Sequence, residues 1–231
     1  MRQVVLDTET TGLSWEKGNR VVEIGCIELL NRRPSGRSYQ QYLNPGREME
    51  PGAAEVTGLT LDFLADKPRF EEVVQEFLDF IAGAELVIHN AEFDLGFLNY
   101  ELGLLGTAYG RIDRHAGVLD TLKMARELYP GQRNSLDALC KRLGVDNKHR
   151  QLHGALLDAE LLADVYLAMT SGQTGFGFDE AAPESDAAAS ELIVTGPSSS
   201  VVLHATAQET DAHQARILKI AEKSGKSLWA D

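Results

Sequence analysis

Apolar and polar positions change rhythm several times along the chain. Val4-Val5-Leu6 is an unbroken apolar run leading into Asp7, the pattern of a buried strand over residues 2–7. A polar stretch with Gly12, Ser14, Gly18 and Asn19 predicts a turn region over 8–19. Val21–Leu29 and Arg37–Leu43 read as second and third strands, and their short connections predict an antiparallel meander. Pro45–Gly58 reads as loop and short helix. Phe70, Val73, Val74, Phe77, Leu78 and Ile81 recur at helical spacing, which predicts an amphipathic helix over Phe70–Ile81. Leu86-Val87-Ile88 then reads as a strand reached by a crossover. A helix over Ala91–Leu105, a loop over Gly106–Gly117 and a brief strand at Val118-Leu119 follow. Further helices are expected at Thr121–Tyr129, Ser135–Leu143 and Gly154–Met169.

These elements predict an α/β fold, a mixed five-stranded sheet flanked by helices, occupying residues 1–171. Beyond it the pattern fades. Residues 172–200 hold Gly, Ala, Ser, Pro and acids with few large apolar residues, the composition of a flexible linker. Residues 201–231 regain apolar positions, with a short strand expected at Val201-Val202-Leu203 and a helix at Asp211–Lys223. This segment is too small to fold alone, so Ile217, Leu218, Ile220, Leu228 and Trp229 point to a partner surface.

Composition narrows the function. No apolar run approaches the ~18 residues of a membrane span, so no membrane partner is expected. The start of the chain lacks the pattern of a secretory signal, and Cys26 and Cys140 read as small buried side chains in a reducing cytoplasm. The formal net charge of −13 argues against a protein that coats nucleic acid, but allows one that grips a few nucleotides through bound cations. Charge is uneven: residues 173–211 carry seven Asp or Glu and no Lys or Arg, whereas 123–153 carry seven Lys or Arg against three acids. Arg133, Lys141, Arg142 and Lys148 are candidates to hold phosphates, although solvated helix faces account for them equally.

Three acidic stations carry the chemistry. Asp7 and Glu9 are two apart, so on an extended backbone they share a face and present paired carboxylates at a strand's end. Two such anions repel unless a cation lies between them, and carboxylate-rich sites suit Mg²⁺ or Mn²⁺. Asp94 follows the His89-Asn90 turn in the first turn of a helix, where an acid complementing the helix dipole is the ordinary alternative. His89 is expected to be a buried, hydrogen-bonded histidine, and Asn90 to shape the loop. The third station is His153-Gly154-Ala155-Leu156-Leu157-Asp158. At ~3.6 residues per turn, a five-residue offset separates side chains by about 140°. If both point to one site, His153 therefore sits on the loop before the helix that carries Asp158. Such an imidazole is placed to accept a proton from a nucleophilic water.

Together these motifs, Asp-Thr-Glu-Thr-Thr-Gly-Leu, His-Asn-Ala-Glu-Phe-Asp and His-Gly-Ala-Leu-Leu-Asp, resemble the histidine branch of the DEDD superfamily of 3′→5′ exonucleases. The resemblance implies an RNase H-like fold, two divalent ions held by Asp7, Glu9, Asp94 and Asp158, and His153 as general base. Thr10, Gly12 and Leu13 would line the place of a terminal nucleotide, with Phe93 stacking on or wedging a base. Pro130–Cys140, Leu152–Asp158 and Val165–Met169 further resemble the epsilon proofreading subunits of bacterial DNA polymerase III. By that resemblance the chain acts on DNA 3′ ends and binds the polymerase catalytic (alpha) subunit through its C-terminal tail. Gln173–Phe178 is similar to a sliding-clamp-binding peptide, and a small accessory subunit would be a further partner. Thr57, in Val56-Thr57-Gly58, stands where epsilon subunits often carry histidine, which bears on its place as a substrate contact. An RNA-trimming exonuclease and a non-catalytic assembly module are the rival readings.

Overall fold

In a computed structural model, residues 1–147, 152–171 and 205–224 are described. The chain divides into two units, Met1–Phe176 and Gly177–Asp231. In the first, β1 (Arg2–Thr10), β2 (Val21–Leu30) and β3 (Arg33–Tyr42) form the antiparallel meander. Two short helices follow, α1 (Pro51–Thr57) and α2 (Leu61–Leu64). Helix α3 (Phe70–Ile81) leads through a crossover to β4 (Glu85–Ile88), parallel to β1. Helix α4 (Ala91–Leu104) leads to β5 (Gly117–Asp120), parallel to β4. Helices α5 (Thr121–Leu128), α6 (Leu136–Leu143) and α7 (Ala155–Thr170) complete the unit. The sheet order is β3-β2-β1-β4-β5.

Alternation along the strands decides which helices each face receives. Val4, Leu6, Ile24, Cys26, Leu86 and Ile88 pack against α3 and α4. Val5, Leu29 and Val87 face the other way, against Ala159, Leu162, Ala163 and Tyr166 of α7. Helices α5, α6 and α7 share a further cluster around Ala125, Leu139, Cys140 and Val165. Both cysteines are buried and unbridged. Among the described residues, no helix is long and apolar enough to cross a membrane.

Three expectations change. Strand β1 runs three residues past Asp7, pairing with β2 as far as Thr10↔Val21. Asp7 and Glu9 therefore sit inside a strand, and the strand that ends beside them is β4, whose last pair is Leu6↔Ile88. Strand β3 starts at Arg33 and not Arg37, because Asn31 and Arg32 both adopt positive φ (49° and 64°). That is the requirement of a tight hairpin, and Asn-Arg signals it more weakly than Asn-Gly. Helix α2, in a stretch that the sequence pattern leaves unassigned, is capped by the Thr60 side chain, which accepts from Phe63 N. In the second unit, α8 spans Ala207–Ser224 and not Asp211–Lys223. Thr206 and Glu209 form a reciprocal cap, with Glu209 Oε2 accepting from Thr206 N at 2.8 Å and Thr206 Oγ1 accepting from Glu209 N at 3.3 Å. The linker, the Gln173–Phe178 peptide, Lys148, Val201-Val202-Leu203, Leu228 and Trp229 lie outside the described residues.

Candidate active site

The sheet's pleat places the first carboxylates. Asp7 and Glu9 share the α7 side of β1 with Val5, while Thr8 points to the α4 side. Because β4 stops at Ile88, the chain turns there through His89 and Asn90, and α4 begins beside Thr8. Asn90 adopts φ 66°, a left-handed turn that Asn tolerates, in keeping with a loop-shaping role. Asp94, in the first turn of α4, is 3% exposed and accepts a 2.7 Å hydrogen bond from Thr8 Oγ1. Burial pushes its carboxyl up to about 7, against the lowering effect of the Thr8 hydroxyl.

The third station arrives from the opposite face. Asp158 lies in the first turn of α7 and is 3% exposed. His153 stands on the loop before that helix, with Nδ1 3.3 Å from Asp158 Oδ2. Its backbone N–H donates to Val56 O at the end of α1. Glu9, His153 and Asp158 offer ligand atoms within 4.8 Å of one another. Asp7, Glu9, Asp94, His153 and Asp158 all line one cleft of about 610 Å³. A larger groove of about 1070 Å³ lies between α4 and α5 and contains none of these five residues.

A second pocket of about 300 Å³ adjoins the cleft and is mainly apolar. Thr10, Gly12, Leu13, Thr57 and Phe93 all line it, with Val56, Ala53 and Glu50. Phe93 borders both spaces and packs on Phe97 at a ring separation of 4.9 Å. The hydroxyl of Thr57 donates to Ala53 O at 2.9 Å and accepts from Leu59 N at 3.2 Å, so this side chain serves the helix end as well as the wall. Gly12 is needed by close approach: a Cβ there would fall on the Glu50 carboxylate and the Asn19 amide.

Of the expected basic stretch, Arg142 has a structural role. Arg142 donates to Asn134 Oδ1 and Arg133 O and lies over Tyr129, bracing the loop before α6. The cleft instead carries Arg126, on α5, which sequence reading did not single out. It is the one Lys or Arg among the described lining residues. His89 is half-buried and not fully buried as expected; its Nδ1 lies 3.0 Å from Thr121 Oγ1, and desolvation lowers its pKa. Thr8, Gln132 and Asn134 are further lining residues with no local sequence signal.

The donor set is four carboxylates and one imidazole. It fits hard divalent ions that take oxygen ligands, and without thiolates it is a poor match for a structural zinc site.

Residues 4–166 match the exonuclease family (RNase_T). The chain is 48% identical to the DNA polymerase III subunit epsilon of Escherichia coli (strain K12), covering 99% of this chain and 97% of that protein. It is 50% identical to the corresponding subunit of Pasteurella multocida, with coverages of 99% and 93%. Among solved structures, exonuclease X in complex with 5′ overhanging duplex DNA aligns with a TM-score of 0.58 and 25% identity, over 73% of this chain and 91% of that one. The nuclease domain of 3′hExo, a DEDDh family member bound to rAMP, aligns with a TM-score of 0.63 and 20% identity, over 74% and 92%, and supports the fold. The chain belongs to the exonuclease family and, within it, to the family of DNA polymerase III epsilon subunits.

Proposed function

We propose that the chain is the proofreading 3′→5′ exonuclease of a replicative DNA polymerase, removing mispaired terminal nucleotides in the cytoplasm. The observation that carries this reading is the junction of two spaces at Phe93: a carboxylate cleft for the phosphodiester and an apolar pocket for the terminal nucleoside. Asp7, Glu9, Asp94 and Asp158 would hold two divalent ions, Mg²⁺ or Mn²⁺. When bound, such ions supply water activation and neutralise charge on the departing 3′-oxygen. His153 accepts the water proton at Nε2, since Nδ1 already lies beside Asp158. Arg126, on the same cleft, meets a phosphate of the strand. Thr10, Gly12, Leu13, Thr57 and Phe93 form the nucleoside wall, with Phe93 stacking on or wedging a base.

The second unit serves assembly. Leu218 and Ile220 on α8 are exposed, as suits a helix that docks on the polymerase alpha subunit. Gln173–Phe178 would reach the sliding clamp, and a small accessory subunit is a further partner in this reading. The test is digestion of 3′-labelled DNA primers, matched and mismatched, with an RNA control, in Mg²⁺, Mn²⁺ and chelator. Metal-dependent release of single nucleotides, faster from mismatched DNA ends, is expected. Preference for RNA, or no release at all, would replace the reading with one of its rivals.

A further inference from the structure

We infer that Glu23 is a positioning residue: its buried carboxylate caps α7 from the neighbouring strand and fixes the His153–Asp158 segment over the cleft. The inference rests on reading that cleft as the hydrolytic site. Glu23 is on β2, directly opposite Glu9 in the β1–β2 register, and 1% exposed. A carboxylate so buried requires hydrogen-bond donors. Gln40 Nε2 donates to Oε1 at 2.8 Å, and the backbone N–H of Ala155 donates to Oε2 at 3.1 Å. The same Gln40 amide reaches Tyr42 Oη at 3.2 Å, and Tyr42 is the β3 partner of Glu23. Strand β3 thus holds the carboxylate while the carboxylate holds the helix.

The helix depends on this contact because its own N-cap is Gly154, which has no side chain to accept an orphan N–H. A negative charge at that end also complements the helix dipole. Gly25, two residues along the same face, makes room: a Cβ there would fall on the backbone of Ala155 and Leu156. Strand β2 therefore supplies both the seat and the acceptor. On the other side, His153 N donates to Val56 O at 3.0 Å. The two bonds pin the segment at 153 and 155, and Asp158 follows within one turn. Displacement there by about 1 Å is enough to cost catalysis two orders of magnitude.

The test compares full-length Glu23→Ala, Glu23→Asp and Glu23→Gln on 3′-labelled primers. The Gln replacement keeps an oxygen for Ala155 N–H, and Gln40 can turn its amide to accept from the new side chain. Ala has no acceptor, and Asp keeps the charge but is one methylene too short. We expect kcat to fall about 10²-fold in the Ala and Asp variants with KM within about threefold, and Gln to stay within about fivefold of the parent. The Ala155 amide, followed by hydrogen exchange without metal, should open at least about tenfold more readily in the Ala and Asp variants than in the parent and Gln. Normal kcat and normal Ala155 protection in folded Glu23→Ala overturn the proposal. So does a Gln variant as impaired as Ala, since charge and not capping would then be what matters. If Ala fails to fold, Asp against Gln decides by the same two readouts. A parent protein inactive on every 3′ end would sink the functional reading alone, because Ala155 exchange still reports on the cap.

Discussion

Replacing Asp94 by Asn should stabilise the metal-free protein while abolishing its activity. Asp94 is 3% exposed, and its carboxyl is raised by burial to about 7. In the unfolded chain the same group titrates near about 4. A carboxyl whose pKa is raised on folding imposes no penalty below the unfolded value. The penalty grows as pH rises through the interval and is complete above the folded value. At pH 8 without metal, an interval of roughly three pH units corresponds to about 4 kcal/mol against the folded state, at about 1.4 kcal/mol per unit. Asn is isosteric and neutral, and its Oδ1 still accepts from Thr8 Oγ1. For a domain of this size, about 2–4 °C per kcal/mol predicts a rise in Tm of roughly 8–16 °C. The assay is thermal unfolding in chelator at pH 8 and pH 5, and again with Mn²⁺. The advantage of Asn should be large at pH 8, less than half as large at pH 5, and cancelled by Mn²⁺, which stabilises the parent by binding its folded state. An Asn variant no more stable than the parent in chelator at pH 8 would refute the buried, repelled carboxylate.

His153→Ala should lower kcat by about 10²–10⁴-fold, the usual contribution of a general base, while calorimetry still detects Mn²⁺ binding. Gly25→Ala should cost about 1–3 kcal/mol by overpacking, read from denaturant melts, and activity should fall more than stability because the Cβ strikes the α7 backbone at Ala155. Arg126→Ala should raise KM for primer ends about tenfold with kcat nearly unchanged, and should flatten the dependence of KM on salt, measured between low and moderate ionic strength.

What was legible in sequence follows the range of the interactions involved. The stripe Phe70–Ile81 and the apolar strand cores were readable because each is a local period facing one core, and α3 has the expected bounds. The convergence of Asp7, Glu9, Asp94, His153 and Asp158 on one cleft was anticipated because side-chain alternation and the five-residue offset constrain them locally, and the superfamily resemblance joined the stations. The placement of His153 before α7 follows from helix geometry once His153 and Asp158 are required at one site. Contacts between distant segments were hidden. Nothing around Glu23 announces that it caps a helix 132 residues away, and nothing around Arg142 distinguishes a loop brace from a phosphate ligand. Nothing around Arg126 distinguishes it from any other helix-surface cation, because its place on the cleft depends on where α5 packs. The early start of β3 and the Thr206 cap of α8 were local but rest on single turn and cap residues, which alternation does not report.

The central claim is that four carboxylates from β1, α4 and α7 hold two cations beside His153. Anomalous diffraction from crystals of the chain with Mn²⁺ and a nucleoside monophosphate tests it directly. Two peaks about 4 Å apart are expected, with Asp7, Glu9, Asp94 and Asp158 forming the ligand set, and the base against Phe93. A single ion, or ions that leave Asp94 and Asp158 uncontacted, would contradict it.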